Sequence, residues 1–223
     1  MRLLLEVCSV CQYKCKGCAH LGLRNRDPNY QMSMEEVQNL VSRLRELDLK
    51  LDELHIHGPG EPLLWDNLNI GLRFFHQCGL IDRITVVTNG LSFGKIDEDV
   101  WGFIHVIFSR YPEAKYNEDI LEAHQDKIEI ADRSKFYFPS FPHAKFNGCN
   151  CSGPMLYKDK IYPWCGPPLF DALDRSNKED DYSVPLKEWD PRKVMAMDYD
   201  ICLWCWANIG ASYAPNEAHK IRG

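Results

Sequence analysis

Three cysteines near the start of the chain, Cys11, Cys15 and Cys18, are separated by three and then two residues. Thiolates gathered in so short a loop can hold three corners of a four-iron cluster, leaving one iron open to another molecule. With a fourth ligand from Cys8 or His20 they could instead form a tetrahedral zinc site. A second group, Cys149, Cys151, Cys165, Cys202 and Cys205, lies further along. Cys151 and Cys165 are separated by 13 residues and Cys202 and Cys205 by two, so a compact pair of loops could supply four thiolates. The expected set is Cys151, Cys165, Cys202 and Cys205, with Cys149 as a substitute for Cys151 or a redox-sensitive neighbour. Zinc could hold this region as well as an iron–sulfur cluster could.

Ten cysteines among 223 residues read differently in different compartments. The opening Met1 to Val7 is apolar but interrupted by Glu6, and no small-residue cleavage site follows it. The expected compartment is therefore the cytoplasm, where thiols stay reduced and metal ligation is favoured over disulfides. With 45% apolar and 26% charged residues, the composition is that of a folded globular chain. No apolar run approaches the roughly 18 residues of a membrane span, so no membrane partner is expected. A formal charge of -6 argues against a broad grip on nucleic acid but allows a nucleotide-sized substrate.

The elements that must position these cysteines alternate. Leu3 to Val7 reads as a first strand leading into Cys11. Ser33 and Glu36 form a capping pair before Val37, Leu40, Val41, Leu44 and Leu47, which recur at helical spacing. Leu51 to His57 reads as a strand ending in Gly58-Pro59-Gly60, and Asn67 to Cys78 as a helix stopped by Gly79. Strands are expected at Ile84 to Val87, Phe103 to Phe108 and Lys127 to Ala131, with a helix from Asn117 to Gln125. Such alternation predicts an α/β fold with a parallel sheet. Cys11 to Cys18, Gly58 to Glu61, Thr88 to Gly90 and Ser109 each follow a strand, so they can share the edge where parallel sheets bind ligands. After about residue 132 the alternation fades, and 147 to 208 reads as an appendage organised by its cysteines. Cys78 reads as a small core residue, and Trp164, Trp204 and Trp206 as filling or shielding the second cysteine group.

The segment Cys11-Gln-Tyr-Lys-Cys15-Lys-Gly-Cys18 resembles the signature of the radical S-adenosylmethionine (SAM) superfamily. His57-Gly-Pro-Gly-Glu61-Pro-Leu-Leu64 is similar to that family's glycine–glutamate motif, and Val86-Val-Thr-Asn89-Gly90 to another of its segments. The resemblance covers roughly the first 110 residues. It implies a partial (β/α) barrel, with a radical SAM core over 1–132. The later cysteines resemble the shortened auxiliary-cluster module called a twitch domain, which implies a small auxiliary region over 133–223 that completes or caps the core. Gly17 stands where the family often has an aromatic residue, Pro59 where glycine is common, and Lys160 where the twitch module usually has glycine. Neither of the first two removes a required ligand, and the third departs from the twitch pattern.

By this resemblance, Cys11, Cys15 and Cys18 hold a [4Fe-4S] cluster whose open iron chelates SAM. Gly60 and Glu61 receive its amino group, Asn89 lies nearby, Ser109 meets the ribose, and Arg110 neighbours the carboxylate. One electron would cleave SAM to a 5'-deoxyadenosyl radical that takes hydrogen from a substrate. The implied activity is an oxidoreductase acting on a small polar molecule, fed by an external one-electron donor such as flavodoxin or ferredoxin. A second, auxiliary [4Fe-4S] cluster, on the later cysteines, would accept an electron. Similar two-cluster proteins include a dehydrogenase of aminocyclitol biosynthesis, protein-side-chain oxidases and peptide maturases. The alternatives are a radical SAM isomerase or modifying enzyme for a nucleotide-linked substrate, a glycyl-radical activating enzyme or peptide maturase, and a zinc-stabilised binding protein without catalysis. The sequence selects no acid–base pair.

Overall fold

The computed structural model describes residues 1–13, 24, 27–112, 114–132, 135–137, 153–162, 183–192 and 213–215. Among the described residues of the first 132, five strands alternate with four α-helices: β1 (Arg2–Glu6), α1 (Met34–Glu46), β2 (Glu53–His57), α2 (Leu68–Gln77), β3 (Ile84–Thr88), α3 (Glu98–Trp101), β4 (Ile104–Arg110), α4 (Glu118–Ala123) and β5 (Ile128–Asp132). The capping box that opens α1 is formed as the sequence implies. Ser33 Oγ accepts from the Glu36 N–H, while the Glu36 carboxylate accepts from the Ser33 N–H.

These strands stand in the sheet in the order β5-β4-β3-β2-β1, each parallel to the next. Parallel crossovers are right-handed, so stepping always in one direction keeps every helix on the same side of the sheet. The result is a half-barrel with one helix-covered face and, among the described residues, one helix-free face. Leu3, Leu5, Leu54, Ile56, Val86, Val106 and Phe108 fill the covered face, against Val37, Leu40, Val41 and Leu44 of α1 and Leu72 and Phe75 of α2.

Most expected bounds shift by a residue or two, and two of the shifts have a visible cause in the strand pairing. The second strand begins at Glu53 because Leu51 makes only an isolated bridge to Ile81. The fourth runs on to Arg110 because β5 continues to pair with it, Ser109 with Ala131 and Arg110 with Asp132. Ser109 and Arg110 thus belong to the strand rather than the loop after it.

Later residues also join this sheet. β7 (Met155–Tyr157) pairs parallel to β1, then β8 (Lys160–Tyr162) and β9 (Val184–Pro185) add antiparallel strands. Met155, Leu156, Ile161, Leu186 and Trp189 are buried in the same core. β6 (Lys135–Tyr137) pairs antiparallel with β10 (Tyr213–Pro215) in a separate small sheet.

Candidate active site

The backbone ladder between β1 and β2 does not stop where the strands end. The Val7 N–H donates to His57 O at 3.2 Å, the Gly60 N–H to Cys8 O at 2.9 Å and the Glu61 N–H to Val10 O at 2.7 Å. This lays the glycine-rich turn against the chain entering the cysteine segment. A Cβ on Gly60 would sit 2.2 Å from Val10 O, and one on Gly58 2.7 Å from Cys8 O. Glycine is required here by close backbone approach.

Glu61 is buried beside this turn. Its Oε1 accepts from the Thr88 hydroxyl and, at 3.1 Å, from the Leu63 N–H; its Oε2 accepts from the Asn89 N–H at 2.8 Å. Burial pushes the carboxyl up to about 7 although all three donors favour the charged form. A carboxylate offers about four lone-pair sites, so three donors leave one acceptor position on Oε2. A cationic amine placed there would return the group to its charged form.

Asn89 is also buried, but its side chain is used within the protein. Nδ2 donates to Gln12 Oε1 at 3.2 Å and Oδ1 accepts from the Leu91 N–H at 3.0 Å. Gln12 Nε2 in turn donates to Ser92 Oγ at 2.7 Å. The residue after Cys11 is thereby tied to the loop following β3. Tyr13 ties the same segment to the end of β4, its ring 5.2 Å from that of Tyr111, while the buried Arg24 donates to Tyr13 O at 2.9 Å. Ser109 is buried and shares strand parity with His105, which places it towards the helix-free face. Arg110 is exposed, with Nη2 3.6 Å from Glu118.

The cysteines divide sharply. Cys11 is partly exposed, and its sulfur accepts the Tyr13 N–H at 3.4 Å, the kind of bond that favours a thiolate. Cys8 is fully buried and donates to Glu61 O at 3.0 Å; burial, then the Glu61 charge, push its thiol far up. Cys8 is therefore held as a buried thiol, its S–H committed to the Glu61 carbonyl. Cys78 donates to Phe75 O at the end of α2, as a packing residue would. Cys15, Cys18, Cys149, Cys151, Cys165, Cys202 and Cys205 lie outside the described residues, as do His20, Trp164, Trp204 and Trp206. Among the described residues no three His, Cys, Asp or Glu side chains are grouped to hold a metal ion. No helix among them is long and apolar enough to cross a membrane.

Gln12, Tyr13 and Arg24 were not singled out by the sequence reading, and Thr88 entered it only as part of the segment after the third strand. Gln12 and Thr88 each sit beside a residue already singled out, yet no spacing rule says where their polar ends go. Only the closing of the strand ends brings them together.

No family model matches the chain, and no curated protein matches it. Among solved structures, it is similar to BtrN in complex with AdoMet and 2-DOIA, with 22% identity and a TM-score of 0.47 over 60% of this chain and 56% of that one. A structure of selenomethionine BtrN in an open conformation gives 22% identity and a TM-score of 0.43 over the same shares. The aligned part thus spans little more than half the length of those structures, and the similarity is one of form.

Proposed function

We propose that this chain is a radical SAM oxidoreductase acting on a small polar molecule. The observation that carries the reading is the docking of Gly60 and Glu61 onto Ser9 and Val10, immediately before Cys11, at the C-terminal edge of a parallel half-barrel. A thiolate segment, an amine-accepting turn and a buried carboxylate thus share one edge, in agreement with the motif resemblance. The residues present suit the group they would hold: Cys11 already receives an N–H bond at sulfur, and Glu61 keeps one acceptor position.

In this reading Cys11, Cys15 and Cys18 bind a [4Fe-4S] cluster. Gly60, Glu61, Asn89, Ser109 and Arg110 frame the SAM site, Glu61 taking the amino group and Ser109 the ribose, while Asn89 holds the loop through Gln12. Cys151, Cys165, Cys202 and Cys205, with Cys149 adjacent, bind an auxiliary [4Fe-4S] cluster. When bound, these groups supply an electron for SAM cleavage to a 5'-deoxyadenosyl radical and an acceptor for an electron from the oxidised substrate. The first electron comes from a flavodoxin or ferredoxin, in the cytoplasm.

Anaerobic purification followed by iron, sulfide and zinc analysis, and by assay of 5'-deoxyadenosine with dithionite as reductant, tests the proposal. Iron and sulfide near eight of each per chain with 5'-deoxyadenosine formation are expected for two such clusters. Zinc without inorganic sulfide would overturn it.

A further inference from the structure

The helix-free face carries a set of ionisable side chains that the cofactor reading does not use. His55 and His57 lie two residues apart on β2 and so share this face, their ring centroids 5.8 Å apart. The register sets His55 level with Thr85 on β3, and Thr85 level with His105 on β4. Glu6, at the end of β1, is level with His57, and its Oε1 lies 3.0 Å from His57 Nδ1. Across the sheet, Glu129 Oε2 lies 3.6 Å from His105 Nε2.

Buried polar atoms in folded proteins are nearly always hydrogen-bonded. Here two ring nitrogens, His55 Nδ1 and His105 Nε2, are shut off from solvent without a hydrogen-bond partner among the described residues. Glu53, one step lower on the same face, shows what a satisfied group looks like: it accepts from both Arg2 and Thr85. Burial, reinforced by His57, pushes His55 down to about 4, so its ring is neutral and offers one donor and one acceptor. His57 moves upward: burial opposes its proton, but the charge and hydrogen bond of Glu6 prevail.

We propose that His55, His57 and His105, with Glu6 and Glu129 behind them, form a binding site for a small polyhydroxylated molecule. The neutral His55 imidazole can exchange hydrogen bonds with hydroxyl groups in either direction. Strands stand about 4.8 Å apart and alternate residues about 6.6 Å apart, so the three rings offer contacts across a sugar-sized ring. The Glu6–His57 pair anchors one hydroxyl in a fixed orientation, because Glu6 engages Nδ1 and directs Nε2 at the ligand. Identifying this ligand as the substrate rests on the radical SAM reading; the site itself rests on the histidine face.

The test is calorimetric titration of the anaerobically reconstituted full chain with myo-inositol, with and without SAM, in wild type, His55→Gln, His57→Gln and Glu6→Gln. Saturable binding that weakens at least about tenfold in His55→Gln and His57→Gln, with SAM binding unchanged, is expected for loss of one or two good hydrogen bonds. Glu6→Gln is the variant most exposed to misfolding because Glu6 is buried, and the two histidine variants keep the test decisive. Absence of inositol binding in wild type, or equal binding in both histidine variants, would overturn the site. Inositol binding without any SAM binding would overturn the cofactor reading instead and leave the polyol site standing.

Discussion

The Glu61 N–H donates to Val10 O at 2.7 Å, which joins the glycine-rich turn to the residue immediately before Cys11. Two segments 50 residues apart in sequence are thus one backbone structure. Whatever Cys11 binds is placed relative to the Glu61 carboxylate by main-chain hydrogen bonds, which do not depend on side-chain rotamers.

Gly60 is the position most sensitive to this arrangement. The Cβ of a Gly60→Ala variant would lie 2.2 Å from Val10 O and 2.6 Å from Val10 N, both backbone atoms that cannot swing aside. A loss of about 1–3 kcal/mol of stability is expected from such overpacking. Because the strain falls on Val10, iron incorporation should drop as well. Gly94→Ala, where a Cβ meets nothing within 4 Å, is the control. Thermal denaturation and iron content of the two variants check this.

Glu61 gives the chain a defined pH response. Its carboxyl is raised to about 7 by burial, above the ordinary glutamate value of 4.5, so between these pH values the folded chain holds more protons than the unfolded one. The stability conferred by the protonated form is therefore complete below about 4.5 and is lost as pH rises to 7, by an amount on the order of 3 kcal/mol. An amine seated on Oε2 requires the ionised form. SAM affinity should accordingly increase about tenfold from pH 6 to pH 8, with proton release on binding near neutrality. Titrations in buffers of different ionisation enthalpy measure both quantities. An affinity independent of pH over this range would separate Glu61 from the amine.

Much of this was legible in the sequence because each signal was local. The Ser33–Glu36 pair, the periodicity of α1 and the Gly-Pro-Gly turn all act within a few residues, and the structure reproduces them. The glycine–glutamate segment and Cys11 were expected at one strand edge, and they are there. What could not be read depends on register between distant strands. The meeting of Glu6 with His57, of Gln12 with Asn89 and Ser92, and of Thr88 with Glu61 follows from which residues stand level once the sheet is assembled. The joining of β7 to the outer side of β1 belongs to the same class, since three consecutive apolar residues do not identify their neighbour.

Cys8 and Cys11 should behave oppositely although they lie three residues apart. Cys8 donates its S–H to Glu61 O in a dry environment, whereas the Cys11 sulfur accepts an N–H. Cys8→Ser keeps a donor for that carbonyl and should lower stability by only about 1 kcal/mol. It should leave iron content and the cluster's absorbance unchanged. Cys11→Ser should abolish the SAM-binding cluster, reducing iron by about half if the auxiliary cluster remains, because a hydroxyl is a poor substitute for soft thiolate ligation. Iron loss of equal size in both variants would remove the distinction between them.

Gln12 is where the cysteine segment is fastened to the third strand end. Its amide donates to Ser92 Oγ at 2.7 Å and accepts from Asn89 Nδ2 at 3.2 Å, while Asn89 also donates its backbone N–H to Glu61. Gln12→Ala removes both side-chain bonds and leaves the Asn89 amide short of a partner, for an expected cost of about 1–2 kcal/mol. Glu61 keeps all three of its donors in that variant, so the effect should fall on the order of the segment between Cys11 and Cys18 rather than on recognition of the amine. The expected outcome is a cluster that is lost several-fold faster to a chelator, with the pH dependence of SAM binding retained. Gln12→Glu keeps the acceptor for Asn89 but loses the donor to Ser92, and should restore part of the cluster's lifetime. Comparing the kinetics of iron release in the two variants separates a fastening role from direct contact with the cofactor.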